Sequence, residues 1–131
     1  MRQFQDTKKI LDAKAATGIG TPMEVSDFMH LVLSLATASS ANLTVKFQGS
    51  IQEDMPDFSA AQTAANMWDY IQVKDLEDGS SIDGDTGIAP AGTDDFRLFE
   101  LNVNGLKWIN AVVTARSAGS VTISCKPFNN C

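Results

Sequence analysis

The stretch "NLTVKFQGSI", residues 42–51, alternates apolar and polar residues almost without error. Leu43, Val45, Phe47, Gly49 and Ile51 fall on one side of an extended chain, and Thr44, Lys46, Gln48 and Ser50 on the other. A helix would scatter these positions around its circumference, whereas a strand gathers them onto one face. A chain written this way is constrained to half-buried β-sheet, with one face on a core and one toward water.

The same period recurs along the sequence. "MHLVLSLAT" (29–37) sets Met29, Leu31, Leu33 and Leu35 against His30, Val32, Ser34 and Ala36. The small polar run "ASSAN" (38–42) joins the two stretches and predicts a hairpin. "MWDYIQV" (67–73) is rich in aromatic and β-branched residues and reads as a strand. "DDFRLFELNV" (94–103) is apolar in part on both faces, through Phe96 and Leu98 against Phe99, Leu101 and Val103, and is expected to lie centrally. Asn104-Gly105 is a strong two-residue turn signal. Beyond it, "LKWINAVVTARSAGSVTIS" (106–124) alternates, pauses at "RSAGS", and alternates again. The reading is three consecutive antiparallel strands, 95–103, 107–115 and 120–126, the last two forming a closing hairpin. A further strand is expected over "KKILDAK" (8–14).

Two segments break the rhythm. "QEDMPDFSAAQTAAN" (52–66) carries Pro56 near its start and an alanine-rich middle suited to a short helix. "EDGSSIDGDTGIAPAGTD" (77–94) reads as a long surface loop. The pattern predicts an all-β chain, an antiparallel β-sandwich of jelly-roll or Ig-like type with about seven or eight strands. One domain over residues 1–131 is expected, with an N-terminal arm and first strand over 1–22, the sandwich over 23–131, and two long loops.

Composition limits the functional classes. A formal net charge of −6, with basic residues scattered and only Lys8-Lys9 adjacent, argues against nucleic acid as a partner. It suits a solubility charge or complementarity to a basic protein surface. No apolar run approaches the ~18–20 residues that span a bilayer, and the charged N-terminus does not read as a signal peptide, so no membrane is expected.

Candidate chemistry is sparse. Asp75, Glu77, Asp78, Asp83 and Asp85 offer the oxygen ligands calcium takes, but Gly87 falls where a third ligand is needed and no bidentate glutamate follows. Glu53, Asp54, Asp57 and Glu100 could supply paired carboxylates for glycoside hydrolysis, yet only Glu100 sits on a predicted strand. His30, the only histidine, lies mid-strand among apolar neighbours, where sheet packing accounts for it better than base catalysis. "ATGIGTP" contains G-x-G without the third glycine or helix of a phosphate loop. Trp68, Tyr70 and Trp108 on an open sheet face would suit sugar stacking; buried, they are core. Cys125 and Cys131 are too few and too late for a disulfide framework, and whether they bridge is left open. The expectation is a non-enzymatic chain with no catalytic, cofactor-binding or metal residues.

Three stretches together carry a likeness: "ATGIGTPMEVSDFMHLVLSLAT", "ANLTVKFQGSI" and "LNVNGLKWINAVVTARSAGSVTIS". A V-S-x-F opening (Val25-Ser26-Asp27-Phe28), an F-x-G-S strand end (Phe47-Gln48-Gly49-Ser50), Trp108, and a last strand with Val121-Thr122-Ile123 resemble small structural proteins of tailed-bacteriophage virion modules. The resemblance spans most of residues 18–125 and leaves 52–66 and 77–94 unmatched. It implies a β-sandwich virion component, a decoration or cement protein on the outer head. Its partners would be the major capsid protein and other copies of itself, a homotrimer favoured, with residues 1–22 and one long loop touching the lattice. Other virion parts (head–tail joining, tail or head-fibre base) and a carbohydrate-binding module are the alternatives.

Overall fold

The computed structural model describes residues 2–130 and contains no helix among them. Eleven strands follow in order: β1 (Arg2–Phe4), β2 (Lys8–Lys14), β3 (Gly18–Ile19), β4 (Met23–Glu24), β5 (His30–Ser50) and β6 (Trp68–Tyr70), then β7 (Val73–Asp75), β8 (Ser81–Ile82), β9 (Ala91–Thr93), β10 (Phe96–Asn102) and β11 (Trp108–Asn130). Every pairing between them is antiparallel.

Two strands set the architecture. β5 and β11 are 21 and 23 residues long and pair from Trp108 opposite Ser50 to Phe128 opposite His30. Each bends midway. On β5 the bend falls at Ser39 and Ser40, both in the left-handed region (φ 64° and 54°). On β11 register shifts occur between Val113 and Ala115, Arg116 and Ala118, and Ala118 and Ser120. Bulges of this kind sharpen a sheet's bend. The ribbon folds over on itself, so that Leu31, Leu33 and Leu35 from one half of β5 and Leu43, Val45 and Phe47 from the other enter one hydrophobic cluster. The result is an antiparallel, sandwich-like all-β fold.

The first layer runs from β1 and β2 through the second half of β11, the first half of β5, and β10 and β7 to β8. The second layer holds β3 and β4, the first half of β11, the second half of β5, and then β6, an Ile88–Val45 bridge and β9 along the far side.

The inward faces read from sequence are largely those observed, with Ile109, Ala111, Val113, Val121, Ile123 and Cys125 all buried. The pairings are not the ones expected. "ASSAN" and "RSAGS" are corners within continuous strands, and neither closes a hairpin. Ala36 lies between Phe96 and Thr122, so residues 30–36 pair with β10 and β11 and not with 42–50. β10 likewise pairs with β5 and β7. The turn at Asn104-Gly105 (Gly105 φ 88°, Leu106 N–H donating to Val103 C=O at 2.9 Å) therefore carries the chain between layers.

Residues 2–24, expected to include an arm, lie along β11 from Asn130 back to Trp108 as β1 to β4, burying Ile10, Leu11 and Met23. Residues 67–73 divide between β6 in the second layer and β7 in the first. The 77–94 stretch, expected to be a loop, contributes β8, the Ile88 bridge and β9.

Candidate functional site

Aromatic side chains line the outer face of the second layer. Ser50 lies between Trp108 and Trp68, and Gln48 lies between Asn110 and Tyr70. Strand alternation turns all six away from the core. The face is nevertheless covered, because residues 52–67 fold back across it as a compact loop. The sheet's side chains hold that loop through its carbonyls. Trp68 Nε1 donates to Ala60 C=O (2.9 Å), Trp108 Nε1 to Gln52 C=O (3.0 Å) and Gln48 Nε2 to Phe58 C=O (2.9 Å). Ser50 Oγ donates to Met67 C=O (2.5 Å), and within the loop Asn66 Nδ2 donates to the carbonyls of Asp57 (2.8 Å) and Ala61 (3.2 Å).

The loop occupies the surface on which a sugar ring would stack. Trp68 is only 8% exposed, its ring sits edge-on to Tyr70, and the Lys46 ammonium lies 4.9 Å from the Tyr70 centroid. The tryptophans are neither core nor platform; they clasp the loop. Sequence reasoning missed this because an indole N–H seeking a carbonyl leaves no local pattern.

A buried amide pair lies beneath the loop. Gln48 and Asn110 are 1% and 0% exposed. Because Gln48 Nε2 is committed to Phe58, its Oε1 must accept, and Asn110 Nδ2 donates to it (3.2 Å). That directionality leaves Asn110 Oδ1 buried without a protein partner among the described residues.

The acidic residues of 75–85 are separated by their roles. Asp75 is buried and pairs with Arg97, while Asp78 Oδ1 accepts from Ser80 N–H (2.9 Å) and Asp83 Oδ1 from Asp85 N–H (2.9 Å). These are turn-forming contacts. The Ser80 contacts hold the Asp78 carboxyl below its ordinary pKa, and the hydroxyl and N–H of Ser59 do the same for Asp57. Among the described residues no three His, Cys, Asp or Glu side chains converge as a metal site.

The remaining candidates are also dispersed. Glu53 pairs with Lys107 (3.1 Å), whereas Glu100 sits 3.4 Å from His30 Nδ1, and the His30 ring stacks on Phe128 with centroids 5.5 Å apart. Gly18 and Gly20 belong to the strand edge along β11; a Cβ on Gly20 would fall 2.3 Å from Ile10 C=O, so glycine there serves close packing. Cys125 is buried, and burial pushes its thiol up to about 12. Cys131 lies outside the described residues, so the bridge to it does too.

One surface stands apart. On the outer face of the first layer, Phe96 and Leu98 of β10 are 68% and 44% exposed, and Leu76, whose N–H donates to Leu98 C=O (3.2 Å), is 41% exposed. Beside this ridge Ser34, Ala36, Thr122 and Ser124 form a shelf of small, half-buried residues. The sequence signal was present in the two-sided apolarity of 96–103. It predicts a central strand, and β10 does lie between β5 and β7, but only its Phe99 and Leu101 face is buried.

No family model matches the chain. No curated protein matches it in sequence. Among solved structures, the SPBc2 prophage-derived protein YomS superposes with a TM-score of 0.69 at 13% identity, over 98% of this chain and 96% of YomS. The fold is shared with a prophage-derived protein. The PBSX exported protein XepA superposes with a TM-score of 0.73 at 12% identity, over 98% of this chain. The chain corresponds to 38% of XepA and to nearly all of YomS, so the shared unit is a whole chain in one and a part of a longer chain in the other.

Proposed function

We propose that this chain is a non-enzymatic structural protein of a tailed bacteriophage, acting as a homo-oligomeric decoration protein that binds the major capsid protein on the outer head. The observation that carries the phage reading is the correspondence in fold with prophage-derived YomS, over 98% of this chain and 96% of YomS. The ridge of Phe96, Leu98 and Leu76 supports a role through protein contact. A repeated lattice multiplies modest contacts into firm attachment. The trimer favoured from sequence remains part of this proposal.

The test is addition of purified protein to bare heads of the encoding phage, followed by sedimentation and thermal melting. Stoichiometric association that raises the melting temperature of the heads is expected. Failure to associate rules the decoration role out.

The description of XepA as exported favours a second reading, a phage protein released from the host and acting away from the particle. Fractionating an infected culture separates the two. Decoration places the chain with purified particles, and the second reading places it in the particle-free medium.

A further inference from the structure

Asn104 is the only asparagine of the chain that is followed by glycine. The pair forms the tip of the turn from β10 to β11, and both residues are exposed. Asn104 N–H donates to Asn102 Oδ1 (3.0 Å) and Leu106 N–H to Val103 C=O (2.9 Å), which fixes the backbone on either side of the pair. Among the described residues, no hydrogen bond engages the Asn104 side chain or the Gly105 N–H. A Cβ built on Gly105 would meet no heavy atom within 4 Å. The chain's two Asp-Gly pairs are built differently. Asp78 Oδ1 accepts from Ser80 N–H (2.9 Å), and Gly79 N–H donates to Asp75 C=O (2.8 Å). Asp83 Oδ1 accepts from Asp85 N–H (2.9 Å), and Gly84 packs against backbone, where a Cβ would fall 2.8 Å from Ile71 N. Both reacting groups are free only at Asn104-Gly105.

We propose that Asn104-Gly105 is a site of spontaneous covalent modification in the folded protein, where asparagine is converted to aspartate and isoaspartate with loss of ammonia. Asparagine is among the chemically labile side chains, and glycine after it leaves no Cβ to obstruct ring closure. Hydroxide takes the proton of the Gly105 N–H, and the nitrogen attacks Asn104 Cγ. The N–Cγ bond forms, the Cγ–Nδ2 bond breaks, and Nδ2 leaves as ammonia with a proton from water. Water then opens the five-membered imide, and the ring nitrogen regains its proton. Addition at Cγ gives aspartate on an unchanged backbone. Addition at the main-chain carbonyl gives isoaspartate, with the backbone rerouted through Cβ and Cγ. Either product adds a negative charge to a chain already at −6. Isoaspartate also lengthens by one bond the link between Val103 and Ile109, both fully buried, so the turn cannot absorb it by sliding either strand. The conversion is irreversible and marks the age of each copy, whatever the chain binds.

The test is to age the full folded chain at body temperature, at neutral and at mildly alkaline pH, beside a sample kept in concentrated urea. Aliquots are digested with trypsin and followed by liquid chromatography and mass spectrometry. In the folded sample, loss of the unmodified Leu98–Lys107 peptide is expected ahead of conversion at any other asparagine. Two products carrying the mass gain of deamidation at position 104 should replace it, one of them isoaspartate, and faster at the higher pH. Asp78 and Asp83 should stay unchanged in the folded sample and form isoaspartate in urea, where their hydrogen bonds are lost. Asn104→Gln, which cannot close a five-membered ring, should remove the fast conversion. Asn104 that survives in the folded chain while converting in urea overturns the proposal. So does another asparagine that reacts first, or isoaspartate that forms at Asp78 or Asp83 of the folded chain as fast as at Asn104.

Discussion

Gly119 of β11 packs directly against Ala41 of β5: a Cβ built on Gly119 would lie 2.5 Å from the Ala41 Cα and 2.6 Å from Ala38 C=O. Those are backbone atoms, which cannot move aside as the end of a flexible side chain can, and Gly119 also holds a φ of +77°. The contact sits at the corner where the ribbon folds over, so the approach of the two bent strands sets the angle between the layers. Gly119→Ala is expected to destabilise the fold by roughly 2–5 kcal/mol, through left-handed strain and overpacking together. A urea unfolding series should show the midpoint falling with little change in slope. Alanine at Gly92, which has a φ of +73° and open space around its Cβ position, should cost only about 1 kcal/mol.

Gln48 joins the loop to the sheet. Gln48→Met keeps its size but leaves the Phe58 carbonyl and the Asn110 amide without their partners. A loss of about 2–4 kcal/mol is expected. The loop over 52–67 should loosen with it, seen as faster proteolytic cleavage there while cleavage elsewhere is unchanged. Trp68→Phe, which removes one hydrogen bond to Ala60, should loosen the same loop by about 1 kcal/mol.

Cys125 makes stability fall at alkaline pH. The folded thiol is raised from 9.0 to about 12 by burial, so between those values the unfolded chain gives up a proton that the folded chain keeps. The unfolded state then binds fewer protons, and stability drops with rising pH by up to about 1.4 kcal/mol per unit. Below about 9 the full contribution is present. In a Cys131→Ser background, unfolding free energy measured from pH 8 to 11 should decline. Cys125→Ala should flatten that part of the decline while lowering stability throughout.

Removing residues 1–14 should damage the fold itself. Those residues carry β1 and β2, and Ile10 and Leu11 are 3% and 1% exposed. Losing the two side chains from the core costs about 3–6 kcal/mol, and the freed edge of β11 invites aggregation. Circular dichroism and sedimentation of the truncated chain should report loss of native sheet and self-association. A detachable arm would instead leave both unchanged.

Much of the local structure was legible from period-two alternation. Leu31, Leu33 and Leu35, and Leu43, Val45 and Phe47, were assigned to inward faces and are inward. Alternation reports which side of a strand is apolar; it carries no information on which strand lies beside it. "ASSAN" between two alternating runs is equally good as a hairpin loop or as a corner, because small residues and left-handed serines serve both. Only the distant β11, matched to β5 along its length, decides for the corner. Met29 and Ile51 show the limit of the pattern at strand ends, where the rhythm continues but the cover does not, and they are 38% and 65% exposed. The candidate surface was half legible. Phe96 and Leu98 declared a second apolar face, but only the topology shows that no element among the described residues crosses it.

The long strands also determine when the protein can fold. β11 is made after every other strand, yet it lies between residues 2–24 and β5 through both layers. Until it leaves the ribosome, the strands over residues 2–24 lack the strand they pair with, and neither layer can be completed. Most contacts between strands then wait for the same segment, and some join residues more than a hundred positions apart, as Arg2 does with Asn130. That is the regime of slow, all-or-none folding. During synthesis the half-made chain exposes the alternating leucines of β5, and a chaperone is the natural companion for that interval.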